Sequence, residues 1–375
     1  MISRRGASLV AALLVLASPG QRWMSWMDPD SVVAPEIFAG TSFWNTKHNQ
    51  TGITDSKSGT WIAALKAEVG SDYIKLVGTD SDAYGTAFYV VSDREAPPQT
   101  KITCNDPSGH CYGFKGTSYW LRVPRNAKPS DDNDSEMVVL DQSRDANVAV
   151  WLYRACPPGW VNAFCTDDGS SDTFTAYGMS VHSLSSSGLD GCWPTHYPVF
   201  FPPPPLGPND PNNRGHRGIP GAFIGVRYEE VVAGLLAHTL KVSLPNTQAD
   251  TNYFPLSAAE QNVGVIPEGV LIRIKPSVNL NDPKYDLNGY ALVIAEALQD
   301  YGAVVGDTSD NSANLKVENL FVEGSPYRWD NPDPDKDIGP DSLSGIPLDD
   351  FEFVKRGYGV PLGFVWSGFC EDSPP

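Results

Sequence analysis

The sequence predicts a mainly β protein, a β-sandwich or jelly roll carrying long Pro/Gly loops and two or three short packing helices. Three observations predict it. The chain holds 34 Gly and 32 Pro beside 15 Tyr, 15 Phe and 10 Trp, so turn-formers and strand-favouring aromatics are both abundant. Short runs rich in β-branched or aromatic residues recur, each bounded by Gly, Pro, Asp or Asn. Helical periodicity is confined to a few segments that do not alternate with the strands, so a βαβ sheet fits poorly.

In chain order, the first helix is predicted over residues 58–69, where Trp61, Ile62, Leu65 and Val69 share a face and Ser58 or Thr60 supplies the cap. Strands are predicted at 73–77, 87–91, 119–123, 136–140 and 148–153. Residues 197–221 contain the run Pro202, Pro203, Pro204, Pro205 and then Pro208, Pro211 and Pro220, which dictates an extended polyproline-like surface crossover. A short helix at 228–236 precedes strands at 239–244 and 270–274. The last helix, 288–301, sets Leu292, Ile294, Ala295, Leu298 and Tyr301 toward a sheet, Gly302 stops it, and a strand at 303–306 follows. Residues 330–347 form a second Pro and Asp loop.

The domain organisation follows from the N-terminus. A basic start at Arg4 and Arg5, an apolar stretch from Ala7 to Ala17 and a small-residue exit predict a secretory signal peptide over residues 1–17. That stretch is shorter than the ~20 apolar residues that span a bilayer. Residues 18–375 are then a single β-rich extracellular domain. Its six cysteines are expected as disulfides in an oxidising compartment. The short separations suggest Cys104 with Cys111 and Cys156 with Cys165, leaving Cys192 to tie to Cys370. A zinc site fits worse, because neither C-x2-C nor H-x3-H occurs. The formal charge of -18, with no cluster of Lys and Arg, argues against nucleic acid and anionic membranes as partners.

Four segments, 84–91, 219–245, 266–276 and 294–308, carry between them a characteristic series of motifs. It includes Gly-Val-Arg-Tyr-Glu-Glu, Ala-His-Thr-Leu-Lys-Val, Ile-Pro-Glu-Gly-Val and Ala-Leu-Gln-Asp-Tyr-Gly-Ala-Val-Val-Gly-Asp-Thr. Together they resemble a group of secreted bacterial β-rich proteins of unassigned activity. The resemblance covers about a quarter of the chain. It implies export and a β-rich domain and supplies no reaction.

Candidate chemistry concentrates in residues 216–238. His216 and Arg217 end the proline loop, Tyr228, Glu229 and Glu230 follow a short apolar run, and His238 precedes a strand. A histidine, a phenol, an arginine and carboxylates are the parts that acid/base attack on a polysaccharide needs. The catalytic candidates are His238 as base or proton shuttle, Glu230 or Asp307 as carboxylate, and Tyr228. His216, Arg217 and Trp44 are candidates for holding a sugar, whose C–H faces stack on aromatic rings. The competing reading is a solvated turn beside a structural histidine. Asp333, Asp335, Asp337 and Asp341 alternate along the second loop and could supply the oxygens calcium prefers, without an EF-hand pattern. The absence of G-x-S-x-G, Walker A and G-x-G-x-x-G argues against a Ser hydrolase of that type and against a nucleotide cofactor.

The expected function is a secreted carbohydrate-active enzyme cleaving an extracellular polysaccharide, since the chain is longer than a simple binding module, and by preference a glycoside hydrolase, since net acidity favours a neutral glycan as substrate. A polysaccharide lyase using the His, Tyr and Arg group is one alternative. A non-catalytic glycan-binding or surface protein is the other.

Overall fold

Strands β5 (Met137–Asp141) and β6 (Val148–Tyr153) are apolar at successive positions, and a strand of that kind must be covered on both faces. In the computed structural model they are the central strands of a mixed four-stranded sheet, flanked by β2 (Ala87–Val91) and β8 (Gly178–Ser183) in the order β2-β5-β6-β8. The structure describes residues 37–48, 53–79, 84–93, 97–105, 118–158, 174–185, 219–256, 263–320 and 328–355, less 41, 125–126 and 250, together with 111, 160, 165, 188 and 259.

One face of this middle sheet, through Met137, Val139, Val150, Leu152, Met179 and Val181, packs on a three-stranded sheet. That sheet runs β4-β3-β7, with β3 at Gln99–Cys104, β4 at Ser118–Arg122 and β7 at Phe174–Ala176, and it contributes Ile102, Leu121 and Phe174 to the shared core. The opposite face, through Val138, Leu140, Ala149 and Trp151, meets Phe223, Leu271 and Val304. Leu271 and Val304 belong to a six-stranded sheet, β1-β12-β9-β11-β10-β13. Its strands are β1 (Lys75–Val77), β9 (Leu240–Leu244), β10 (Leu271–Ile274), β11 (Ala303–Thr308), β12 (Asn314–Lys316) and β13 (Phe351–Phe353). Helices α1 (Ser58–Glu68), α2 (Tyr228–Val232) and α3 (Gly289–Asp300) contribute Trp61, Leu65, Val231, Ile294 and Leu298 to the core on its far side. The mainly β class and sheet-on-sheet packing are as expected, with three mixed sheets stacked where a sandwich has two.

The helix ends follow local chemistry. Asn288 caps α3 by accepting from the Ala291 amide at 2.7 Å. Gly302, at φ 71°, ends it with its amide on the Ala297 carbonyl. At α1 the expected cap does not form. Lys57 occupies the cap position, and the Ser58 hydroxyl instead accepts from the Phe353 amide at 2.9 Å, tying the helix to β13. Helix α2 is shorter than predicted, ending at Val232 with Gly234 at φ 69° just beyond it.

Gly78 and Gly85 show where the chain needs glycine. A Cβ on Gly78 would stand 2.7 Å from both the Gly85 Cα and the Val317 carbonyl oxygen, and Gly78 has φ 108°. This close crossing lets the end of β12 continue past Val317 to Thr86, at the start of β2, and so joins the six- and four-stranded sheets at one corner.

Both predicted local disulfides are present, Cys104 with Cys111 and Cys156 with Cys165, with Cα atoms 5.8 and 5.4 Å apart. Cys192, Cys370, the signal peptide and most of the proline crossover lie outside the described residues. Among the described residues no helix is long and apolar enough to cross a membrane.

Candidate functional site

The sequence Arg227-Tyr228-Glu229-Glu230 enters α2 directly after the bridge that pairs Val226 with Val317. That placement aims three side chains at one another. Arg227 Nη1 reaches Glu229 Oε1 at 3.1 Å, and Nη2 donates to Glu230 Oε1. The other Glu230 oxygen faces His238 Nε2 at 3.1 Å, while His238 Nδ1 donates to the Thr239 carbonyl at 3.0 Å. From the end of β12, Glu318 accepts the Tyr228 amide at 2.8 Å. The predicted pair His238 and Glu230 is therefore brought together.

Electrostatics divide the three acids. Burial alone would raise the Glu230 carboxyl, but Arg227 and His238 outweigh it and hold Glu230 below its ordinary value. Glu229 is raised, chiefly by burial. Glu318 is pushed up to about 8 by burial and then by repulsion from Glu229. The arrangement is one of charge balance inside the protein. Arg227 is 1% exposed, Glu230 4% and His238 5%, so a polymer outside cannot touch the pair in this conformation.

The remaining predicted residues disperse. Tyr228 is core, its ring meeting Trp329 edge-on with centroids 5.2 Å apart. Trp44 is fully buried, its indole donating to the Gly188 carbonyl at 2.9 Å. It is not placed to stack on a sugar. Asp307 belongs to a different cluster, bound to Lys241 Nζ at 2.8 Å across β11 and β9. Beyond that pair, Lys316 bridges the six- and four-stranded sheets to Glu136 at 2.9 Å. Burial would raise Glu136, yet Lys316 and Lys241 hold it below its ordinary value. His216 and Arg217 lie outside the described residues. The guanidinium beside Glu230 is that of Arg227, which the sequence reading missed although the Arg-x-x-Glu spacing on a helix start carries it.

The acidic loop turns its carboxylates to separate partners. Asp333 pairs with Lys336 at 3.0 Å and accepts the Asp335 amide, Asp337 accepts the Asn331 amide at 3.1 Å, and Asp341 accepts the Tyr73 hydroxyl at 2.6 Å. Among the described residues no three His, Cys, Asp or Glu side chains gather as a metal-holding group. A cleft of about 620 Å³ opens between α1 and β13, lined by Thr54, Ser58, Ile62, Lys66, Lys275 and Glu352. None of the predicted residues lines it.

A second candidate site lies on the three-stranded sheet. Alternation along β3 and β4 sends Ile102, Cys104 and Leu121 into the core. The same alternation sends Lys101, Thr103, Ser118 and Trp120 to the opposite face. Register sets Lys101 opposite Trp120 and Thr103 opposite Ser118, the two hydroxyls 3.2 Å apart. Trp120 is 57% exposed. Past the end of β7, Tyr177 is 40% exposed, and the Arg154 guanidinium stands 5.6 Å from its ring centroid. Comparison with protein-family models, with curated proteins and with solved structures finds no match to this chain.

Proposed function

We propose that this protein is an exported, non-catalytic glycan-binding protein whose binding surface is the outer face of the β4-β3-β7 sheet. The observation that carries the reading is Trp120, a large aromatic left more than half exposed on a strand whose next residue, Leu121, is buried in the core. Indole rings stack on the C–H faces of sugars, and the neighbouring Ser118 and Thr103 hydroxyls can exchange hydrogen bonds with sugar hydroxyls. Export is read from the leader-like residues 1–17, and the two disulfides are in keeping with it.

Binding is favoured over cleavage because the predicted acid/base pair, Glu230 with His238, is sealed and committed to Arg227 and Thr239. A general acid or base must come within hydrogen-bond reach of the proton it moves. The test is native electrophoresis in gels containing a panel of polysaccharides, with the same mixtures assayed for reducing ends and for the ultraviolet absorbance of unsaturated products. Retardation without product supports the reading. Product from any polysaccharide, or no retardation by all of them, overturns it.

A further inference from the structure

We infer that the outer sheet selects an anionic, uronate-bearing glycan, an inference that rests on the glycan-binding reading and names its ligand class. The chain has 45 Asp and Glu against 27 Lys and Arg, yet strands β3, β4 and β7 contain no acid at all. Their two charged residues are Lys101 and Arg122. These differ in what they do. Arg122 is committed to the β5–β6 turn, with Nη2 on Asp145 at 2.6 Å and Nη1 on Ser143 at 3.0 Å. Lys101 is exposed, and among the described residues no carboxylate pairs with it.

Register makes Lys101 the direct cross-strand neighbour of Trp120. Directly opposed residues on one face hold their Cβ atoms about 4.5–5.5 Å apart. A pyranose lying on the indole therefore has its ring substituents within reach of the ammonium group on its flexible four-carbon stem. A carboxylate on that ring would be met by a cation, and a neutral ring would leave the cation unused. The acidity of the rest of the chain does not cancel this. At physiological ionic strength charges are screened over about 8 Å, so the nearest cation governs contact on an open face.

The inference is tested by affinity electrophoresis with polygalacturonate, its fully methyl-esterified form, dextran sulfate and a neutral mannan. Wild type, Trp120→Ala, Lys101→Gln and Lys101→Arg are compared, each checked for folding by circular dichroism. The expected result is at least tenfold stronger retardation by polygalacturonate than by its ester, lost in Lys101→Gln, kept in Lys101→Arg and weakened by added salt. Equal retardation by acid and ester, or an unchanged preference in Lys101→Gln, overturns the anionic assignment while glycan binding stands. Dextran sulfate retarding as strongly as polygalacturonate overturns the uronate class in favour of polyanions at large. No retardation by any polymer, or full retardation of Trp120→Ala, overturns the underlying glycan-binding site itself.

Discussion

Glu230 Oε2 stands 3.1 Å from His238 Nε2, and Arg227 holds the other oxygen of the same carboxylate. The three side chains form a buried charge-balanced unit that ties α2 to the start of β9. Removing one partner of such a unit leaves an uncompensated charge in the interior, which costs about 3–5 kcal/mol. Glu230→Ala is accordingly expected to lower the urea midpoint sharply without changing what the folded protein binds. Equilibrium unfolding measures it, and a midpoint within error of wild type would contradict the burial.

Glu318 gives the fold a pH dependence of definite sign. Its carboxyl is raised from 4.5 to about 8, first by burial and next by Glu229, so the folded state holds a proton that the unfolded chain releases. The stability it contributes is complete below about pH 4.5 and declines as the pH rises to about 8. His48 acts in the other direction, since burial and then Arg273 press it from 6.5 to about 4, but its effect is finished by pH 6.5. Stability is therefore expected to fall between pH 6.5 and 8, and Glu318→Gln to flatten that fall. Urea midpoints across the interval check both statements.

The two disulfides act on the sheet that carries Trp120. Cys104 ends β3, and Cys156 bridges to Thr175 of β7. Closing loops of this length stabilises by roughly 2–3 kcal/mol per bridge in the chain-entropy account. Reduction should lower the melting temperature and weaken glycan retention in the same titration. Thiol quantification on the unreduced protein should find no free cysteine, with Cys192 joined to Cys370; two free thiols would remove that third bridge.

Calcium at the acidic loop would compete with Lys336 for Asp333 and would share the Asp341 carboxylate with the Tyr73 hydroxyl. If the loop binds calcium, chelator should lower the melting midpoint and calcium restore it; an unchanged midpoint in both directions leaves only a solvated loop. A rise of the midpoint with calcium would show that the loop rearranges to bind it, since a ligand of the native state stabilises by mass action.

Much of the architecture was legible because burial leaves a strong local signature. The continuous apolar runs of β5 and β6 and the periodicity of α1 and α3 located those elements to within two residues. The strands that escaped notice had none. β7, β12 and β13 are three residues long, β3 carries polar outward residues, and β8 reads Gly-Met-Ser-Val-His-Ser although every position is buried. At the candidate site, Glu230 and His238 were legible as neighbours because only one short helix separates them. Asp307 could not be assigned from sequence, since its partner Lys241 depends on the parallel register of β9 and β11. Trp120 and Lys101 become partners only through the antiparallel register of β3 and β4.

The most direct test of the account is a calorimetric titration of wild type, Trp120→Ala and Glu230→Gln with the polysaccharide that retards the protein most. Trp120→Ala is expected to lose at least tenfold in affinity, about 1.4 kcal/mol, while folded Glu230→Gln binds as wild type does. Undiminished binding by Trp120→Ala, with binding lost in a folded Glu230→Gln, would contradict it.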